Sequence, residues 1–269
     1  MPASQPVVLV TGASSGIGEC CASLLAQKGY RVYGASRSAV SASPVLPLKM
    51  DVTQDDSVRQ AVDSVLQREG RLDVLVNNAG MGIAGSLEDT SPEEARGQFE
   101  VNLFGVLRMC HAVLPGMRLQ GAGYIVNIGS IGGLIAIPYQ GLYSASKFAL
   151  EGLTECLRME VKSFGIRVVL IEPGDHRTGF TKHRRMTEAS SSNPAYRASF
   201  ERAIEQMAAD EQAGPLPDNI ARLVHRVIQT RNPRLRYTTG TLAQRAAVWL
   251  KRLAPNALLE KIVSAYYGR

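Results

Sequence analysis

Short apolar runs alternate with longer amphipathic segments along most of the chain. The runs are rich in Val, Ile and Leu and bounded by turn residues, as buried strands are; they cover residues 6–10, 30–36, 45–50, 72–80, 124–130, 166–174 and 236–240. Residues 56–70 and 142–164 repeat apolar positions at helical spacing, and Ser91, Pro92 and Glu94 form a helix-start signature. Strands that alternate with helices build a parallel sheet covered on both faces. The pattern predicts an α/β fold with a doubly wound, Rossmann-like sheet.

Two segments depart from this alternation. Residues 175–214 are polar and Ser-rich, with a helical pattern only in their later half, which is typical of a mobile substrate lid. Residues 241–269 contain two amphipathic helical patterns that form a C-terminal tail. We expect a single domain over residues 1–269, in which the tail either closes the substrate cleft or completes the core.

Composition and charge narrow the class of protein. The chain has 269 residues, of which 45% are hydrophobic, and this suits one large domain with a substantial core. Its net charge is +6, and the excess of Lys and Arg gathers late in the chain. Because no aromatic interleaving or recognition-helix motif accompanies these charges, a solvated basic face is favoured over nucleic-acid binding.

The cysteines and the N-terminal residues indicate in which cellular compartment the protein works. Cys20, Cys21, Cys110 and Cys156 lie in helical patterns, without metal-ligand spacing or the density of a disulfide scaffold. We expect reduced thiols and no metal site. Residues 1–6 lack a leader pattern, and no apolar run approaches the length of a membrane span. The expectation is a cytoplasmic protein.

A glycine-rich stretch, TGASSGIG, follows the first apolar run and opens a helical pattern at residues 11–18. Gly12 permits a tight turn, Gly16 lets the backbone approach a ligand, and Gly18 lets the helix lie close on the sheet. The free N–H groups and positive end of that helix would face an anion such as a pyrophosphate. The spacing GxxxGxG differs from the commoner GxGxxG, and such a stretch by itself could be only a turn.

Tyr143 and Lys147 lie four residues apart in a helical pattern, so their side chains share a face. Free tyrosine has a pKa of about 10, too high for efficient proton transfer at neutral pH. An ammonium roughly 4 Å away, at an effective dielectric near 20, would favour the phenolate by about 4 kcal/mol, or about three pKa units. We therefore expect Tyr143 to titrate near neutrality as a general acid or base. Ser130, just past a strand end, could donate a hydrogen bond to the same substrate oxygen.

The ordered set of motifs resembles the classical short-chain dehydrogenases/reductases. The set comprises TGASSGIG, NNAG at 77–80, Asn102, Ser130, Tyr143 with Lys147, and EPG at 172–174. The match spans about Val7 to Thr178. It implies an oxidoreductase that interconverts an alcohol and a ketone or aldehyde by hydride transfer. The catalytic residues that it implies are Asn102, Ser130, Tyr143 and Lys147.

The resemblance also implies a cofactor site. Lys147 would hold the nicotinamide ribose hydroxyls, and Asn102 would keep a helix carbonyl and a water in line for proton exchange with Lys147. The implied cofactor contacts are Gly12, Ser14, Ser15, Gly16, Ile17, Gly18, Arg37, Asp51, Val52, Asn78, Ala79, Gly80, Tyr143, Lys147, Pro173, Gly174 and Thr178. Asp51 would contact the adenine and Thr178 the carboxamide, while His176 stands where relatives place an aliphatic residue. Asn77 is expected to brace the sheet.

The end of the second strand indicates which cofactor is used. Relatives that prefer NAD place an acidic residue there, whereas this chain has Ser36 and Arg37. A guanidinium suits the extra phosphate of NADP, and no carboxylate repels it. Ser15 stands where many NADP-using relatives carry a second basic residue, which weakens the preference without reversing it. We expect NADP(H), with NAD(H) as the less favoured alternative.

The substrate and the partners follow from the resemblance. The tail and the motif set are similar to the 17β-hydroxysteroid and retinol dehydrogenase-like branch, which implies a steroid-, retinoid- or lipid-like substrate; a small carbonyl compound stays open. The expected assembly is a homodimer or homotetramer paired through the helices containing Asn102 and Tyr143. Weak attachment of the basic tail to a membrane surface is a less favoured possibility. The alternative function is an NADP-binding sensor without turnover, which would have little reason to keep all four catalytic residues.

Overall fold

A computed structural model describes residues 5–38 and 44–268. Residues 1–4 belong to the segment in which we expect no leader sequence, and they lie outside the described residues. The strands are β1 Val7–Thr11, β2 Arg31–Ser36, β3 Leu46–Lys49, β4 Val74–Asn77, β5 Ile83–Ala84, β6 Gly123–Ile128, β7 Ile166–Glu172, β8 Arg185–Met186 and β9 Arg236–Thr238. The α-helices are α1 Gly16–Gln27, α2 Asp55–Glu69, α3 Pro92–Phe99, α4 Gly105–Gln120, α5 Gly141–Glu160, α6 Phe180–His183, α7 Arg197–Ala213, α8 Asp218–Ile228, α9 Leu242–Leu253 and α10 Asn256–Gly268.

Seven strands form one parallel sheet in the order β3-β2-β1-β4-β6-β7-β9. Val8 of β1 pairs with Val32 on one side and with Val74 on the other. The chain winds outward in both directions from β1 and β4, and in such sheets a ligand crevice opens beyond the carboxyl ends at this point. The predicted α/β, doubly wound fold of a single domain is confirmed.

The sheet separates two apolar cores. Leu9 faces the core under α2, α4 and α5, whereas Val8 and Val10 face the core under α1 and α8. Alternate residues of a strand point to opposite faces, so a strand covered on both sides must be apolar throughout. This explains why the first run reads as an unbroken series of apolar residues.

Some local features differ from the sequence expectation. The capping box is present, since Glu94 N donates to Ser91 Oγ at 3.2 Å, but the long helix beyond it is interrupted by a π-helical segment, Glu100–Phe104. The lid segment contains α6 and β8 in its earlier half, where no regular element is predicted. β8 pairs with β5 in a separate two-stranded sheet, and strands of two residues are too short to leave a periodic pattern.

The tail forms the two predicted helices, α9 and α10, and α10 packs against α7. Val248 and Leu259 are the tail side chains that are buried, whereas Trp249 and Leu253 are exposed. The alternative in which the tail completes the core through Trp249, Leu250 and Leu253 is therefore wrong, because all three side chains are exposed. Each helix lies at the rim of the molecule and turns only a narrow face inward.

Among the described residues, no helix has both the length and the apolar character needed to cross a bilayer.

Candidate active site

One cavity of about 880 Å³ opens at the carboxyl ends of the central strands. It is lined by nearly all of the candidate residues: Gly12, Ser14, Ser15, Gly16, Ile17, Arg37, Asp51, Val52, Asn78, Ala79, Gly80, Ser130, Tyr143, Lys147, Pro173, Gly174 and Thr178. Gly18 and Asn102 lie outside this lining. The fold therefore collects residues from seven separate segments of sequence at one crevice.

The glycine loop has the geometry of an anion cradle. Gly12 and Gly16 have φ values of 65° and 59°, which side chains with a Cβ rarely adopt. A Cβ on Gly18 would lie 2.3 Å from the carbonyl oxygen of Gly12, so a side chain there would force α1 away from the loop. Gly12 and Gly16 line the cavity where α1 begins, and Gly18 lets that helix lie close to the loop.

Two asparagines at the end of β4, Asn77 and Asn78, have different structural roles. Asn78 braces the glycine loop, because its Nδ2 donates to the carbonyls of Thr11 at 3.0 Å and Gly12 at 3.2 Å. Asn77 braces the sheet, as predicted, through a 2.9 Å hydrogen bond from its Nδ2 to Asn127 Oδ1. The Thr11 hydroxyl accepts hydrogen bonds from the backbone of Asn78 and Ala79, so both strand ends are held at a fixed spacing.

Tyr143 and Lys147 occupy consecutive turns of α5 and face the same cavity. Lys147 Nζ donates to the carbonyl of Ile128 at 2.9 Å and lies 5.9 Å from the centre of the Tyr143 ring. The Ser130 hydroxyl accepts from Gly132 N at 3.0 Å and also hydrogen-bonds the Tyr143 phenol. The Tyr143 phenol, the Lys147 ammonium and the Ser130 hydroxyl thus lie close together in the cavity wall.

The pKa of Tyr143 differs from the sequence expectation. Burial raises this pKa to about 12, although the hydrogen bond with Ser130 lowers it. Burial also lowers the pKa of Lys147 to about 8. The expectation of a neutral pKa for Tyr143 is wrong because the loss of solvation outweighs the attraction of an ammonium that is bonded to Ile128. At neutral pH Tyr143 therefore keeps its proton, which is the form that can donate one.

Asn102 lies behind the cavity wall, in the π-helical segment. Its side chain donates to Met81 O at 3.0 Å and accepts from Met81 N at 2.9 Å. It also donates to Ser146 Oγ at 3.0 Å, and Ser146 in turn donates to the carbonyl of Tyr143 at 2.7 Å. Asn102 thus ties the loop after β4 to the helix that carries Tyr143. Sequence reasoning missed Ser146, since a serine inside a helix leaves no distinctive pattern.

The lid segment brings an aromatic ring and several charges to the site. The ring centres of Phe180 and Tyr143 are 5.6 Å apart. Arg184, which is buried, forms an ion pair with Glu211. The carboxyl of Asp175 accepts from Gln244, and burial raises the pKa of Asp175 to about 6, with further contributions from Glu211 and Asp210. The sequence does not identify these residues as part of the site, because the lid segment contains no recognisable motif. Its conformation depends on contacts with distant parts of the chain.

The residues after β7 form the opposite wall. His176 turns both ring nitrogens to the scaffold, one 2.8 Å from the carbonyl of Gly174 and the other 3.1 Å from Asn219 Oδ1. The place of an aliphatic residue is thus taken by a histidine that anchors this loop to α8. A Cβ on Gly16 would lie 3.4 Å from Thr178 Cβ, so the two walls approach closely here.

The end of the cavity near β2 and β3 contains charged side chains. Arg37 is exposed beside it, while Ser36 is buried and donates to the carbonyl of Ser38. Asp51 lines the same end, and its Oδ1 accepts from Thr53 N at 2.9 Å and Thr53 Oγ1 at 2.8 Å. A cation is therefore available at the surface of this end, with a carboxylate fixed nearby.

Comparisons with known proteins agree with this geometry. The family model described as short chain dehydrogenase matches residues 6–189. The chain is 43% identical over 266 residues to a 3-ketodihydrosphingosine reductase from Bacteroides thetaiotaomicron, covering 98% of this chain and 99% of the relative. It is 34% identical over 257 residues to human 17-beta-hydroxysteroid dehydrogenase type 1, covering 88% of this chain and 78% of the relative.

Solved structures show the same fold. A short-chain dehydrogenase from Streptomyces avermitilis has a TM-score of 0.81 at 34% identity, covering 97% of this chain and 99% of the other. A short-chain dehydrogenase/reductase from Burkholderia phymatum, solved in complex with NAD, has a TM-score of 0.78 at 26% identity, covering 96% and 95%.

Proposed function

The chain belongs to the short-chain dehydrogenase/reductase family, and we propose that within it the protein is an NADP(H)-dependent reductase of long-chain ketones. The family makes it an oxidoreductase that acts on CH–OH and keto groups with a nicotinamide cofactor. The observation that carries the proposal is the convergence of Tyr143, Ser130 and Lys147 on one cavity whose outer wall is apolar.

The cavity fits a dinucleotide at one end. Gly12 and Gly16 bring backbone to the cavity at the start of α1, where a pyrophosphate would bind, and Gly18 holds α1 against this loop because a Cβ there would clash with the Gly12 carbonyl. Asn78, Ala79 and Gly80 continue this surface, and Pro173, Gly174 and Thr178 face it from the other wall. The cofactor, when bound, supplies the hydride.

The protein's own side chains supply the proton and stabilise the charge that develops during the reaction. Tyr143 donates its proton to the carbonyl oxygen, and Ser130 donates a hydrogen bond to the same oxygen as negative charge develops there. The Lys147 ammonium stabilises that charge and holds the cofactor ribose. Asn102 and Ser146 fix the backbone of α5, so that Tyr143 stays aimed at the oxygen.

The outer wall favours a long alkyl chain. It is lined by apolar residues from the loop before α5, from the lid and from the tail: Ile137, Met207, Leu250, Leu259, Ile262 and Val263. Since the tail contributes four of these six residues, we propose that residues 241–269 close the substrate cleft and that residues 175–214 form its lid. The relative named for 3-ketodihydrosphingosine reduction makes a long-chain ketone the first candidate.

Two carboxylates in the cavity suit the amino group of such a ketone. Asp175 and Asp210 line the space beyond Tyr143, and their hydrogen-bond partners are the neutral side chains of Gln244, Gln206 and Tyr266. The raised pKa of Asp175 shows that its charge is poorly solvated. An ammonium beside the substrate carbonyl would relieve that cost.

The substrate proposal predicts a chain-length and charge dependence. With NADPH, kcat/KM should rise along a series of ketones of increasing alkyl length and be highest for 3-ketodihydrosphingosine. Asp175→Asn should lower kcat/KM for this amino ketone by about tenfold to a hundredfold, the effect of one lost charged hydrogen bond, and barely change it for the ketone without the amino group. Asp63→Asn on α2 is the matched control. Equal kcat/KM values for short and long ketones would refute the proposal.

The cofactor preference is tested at the end of β2. The double variant Ser36→Asp, Arg37→Ala should shift the ratio of kcat/KM from NADPH toward NADH by about tenfold to a hundredfold, since it removes a charged contact to the 2′-phosphate and adds repulsion. Arg59→Ala removes an exposed arginine of α2 and should leave the ratio unchanged. An unaltered enzyme that prefers NADH would show that Arg37 does not bind the phosphate.

The assembly is proposed to be a homodimer or homotetramer in the cytoplasm, paired through the helices that carry Asn102 and Tyr143. Large apolar side chains are exposed on these helices: Phe104, Leu107, Phe148 and Met159. Light scattering during size exclusion should give at least twice the chain mass, and Phe148→Glu should reduce it to that of one chain. An unchanged mass for that variant would place the interface elsewhere.

A further inference from the structure

The outer face of α9 carries an apolar stripe that no other described element covers. Leu242, Trp249 and Leu253 stand at positions i, i+7 and i+11 and therefore share one side of the helix. Their exposed fractions are 82%, 64% and 82%. A helix that only closes a cleft has no need for apolar residues on its outer face, so this stripe indicates an apolar partner.

A basic groove runs beside the stripe. A second cavity of about 690 Å³, between α8, β9 and α9, is lined by Trp249 and five arginines: Arg226, Arg234, Arg236, Arg245 and Arg252. Arg236 is paired with Glu151 and Glu155 of α5. Within residues 5–38 and 44–268, no ion pair joins the other four to a carboxylate. The Arg252 guanidinium lies 5.4 Å from the Trp249 ring centre, so charge and apolar surface adjoin directly.

We propose that this face docks on the surface of an anionic phospholipid bilayer. Trp249, Leu242 and Leu253 enter the boundary between headgroups and acyl chains, where amphipathic helices with Trp and Leu lie. The arginines bind the lipid phosphates. A second copy of the chain is the poorer occupant, because a two-fold axis would bring the same arginines against one another.

The docked face adjoins the substrate cavity. On α9, Leu250 directly follows Trp249 along the chain and lines the large cavity, and on α10 the cavity-lining Ile262 and Tyr266 are also exposed. A long-chain ketone held in the bilayer would thus reach the apolar wall without crossing water. This consequence rests on the proposed function, whereas the docking itself does not.

The chain contains a single tryptophan, Trp249, so its fluorescence reports on this face alone. Vesicles of equal parts phosphatidylglycerol and phosphatidylcholine should shift its emission to shorter wavelength and pellet the protein. Binding should be at least tenfold tighter than to phosphatidylcholine alone and should be lost in 0.5 M NaCl. Phospholipids brominated in the acyl chain should quench the emission.

Two double variants separate the apolar from the electrostatic contribution to vesicle binding, and both keep Trp249 as the fluorescent probe. Leu242→Ser with Leu253→Ser should weaken binding at all salt concentrations, and Arg245→Gln with Arg252→Gln should remove the preference for phosphatidylglycerol. Leu119→Ser, at an 87% exposed residue near the end of α4, is the matched control and should bind normally. Circular dichroism checks that each variant is folded.

Failure of the wild-type protein to pellet with phosphatidylglycerol vesicles would overturn the proposal. So would a smaller molar mass for the Leu242→Ser, Leu253→Ser variant without vesicles, which would place the face between copies of the chain. Turnover of 3-ketodihydrosphingosine dissolved in detergent micelles, without vesicles, is measured separately. Loss of vesicle binding with turnover retained would refute docking alone, and docking without turnover would refute the proposed function alone.

Discussion

Replacing Tyr143 by Phe is expected to lower kcat by about 10²- to 10⁴-fold, the usual contribution of a positioned general acid. The ring can keep its packing against Phe180, so the variant loses the phenol hydroxyl and little else. NADPH affinity should stay within a few-fold of the wild-type value, because the cradle at Gly12 and Gly16 is untouched. Steady-state kinetics and a fluorescence titration with NADPH measure the two quantities.

Tyr139→Phe is the matched control for this prediction. It removes the same hydroxyl four residues earlier, where the phenol hydrogen-bonds Ser199 at the base of α7. A modest loss of stability with near-normal turnover is expected from that change. If Tyr143→Phe keeps more than a tenth of the wild-type kcat, Tyr143 is not the proton donor.

Lys147→Met is expected to damage both turnover and cofactor affinity. In the proposed mechanism the ammonium stabilises the developing charge on the substrate oxygen and binds the cofactor ribose. Each charged hydrogen bond contributes about 1.5–3 kcal/mol, or about tenfold to a hundredfold. Lys162→Met, an exposed lysine just beyond α5, is the control and should change neither quantity. A kcat loss with unchanged NADPH affinity would remove Lys147 from the cofactor site.

The protonation of Lys147 is expected to make NADPH affinity depend on pH. Burial lowers the pKa of Lys147 to about 8, although Glu151 opposes the shift. The ammonium form therefore prevails below pH 8 and is lost as the pH rises through that value. The dissociation constant of NADPH should accordingly increase above pH 8, by up to tenfold per pH unit, and Lys147→Met should abolish the increase. Tyr143 does not titrate in this window, since its pKa is about 12.

The parts of the fold that the sequence predicts well are those with long, repeated patterns. The apolar runs predict β1, β2, β6 and β7 to within two residues at most boundaries, and the two amphipathic patterns of residues 241–269 predict the two helices of the tail. Most of the candidate cavity residues are predictable for the same reason, because they follow or adjoin the end of a strand of the sheet. Tyr143 and Lys147 lie on α5 instead, and their four-residue spacing predicts that they share a face. Parallel strands bring their carboxyl ends to one edge, so order along the chain becomes proximity in space.

The remaining features depend on contacts between distant segments. The direction of the pKa shift of Tyr143 depends on burial in the folded protein, and no spacing in the sequence records how deeply that phenol lies. The π-helical segment that carries Asn102 looks like ordinary helix in the sequence. The exposure of Trp249 and Leu253 is not predictable either, because apolar periodicity alone does not say which face of a helix is covered.

The central claim is that this cavity transfers hydride from NADPH to a ketone, rather than only sensing the nucleotide. The most direct measurement uses NADPH carrying deuterium at C4, on one face or the other, with 3-ketodihydrosphingosine and the purified protein. Mass spectrometry of the alcohol should show one deuterium at the former carbonyl carbon with one of the two labelled cofactors, and none with the other. Tight binding of NADPH without any labelled alcohol would contradict the claim and identify a nucleotide sensor.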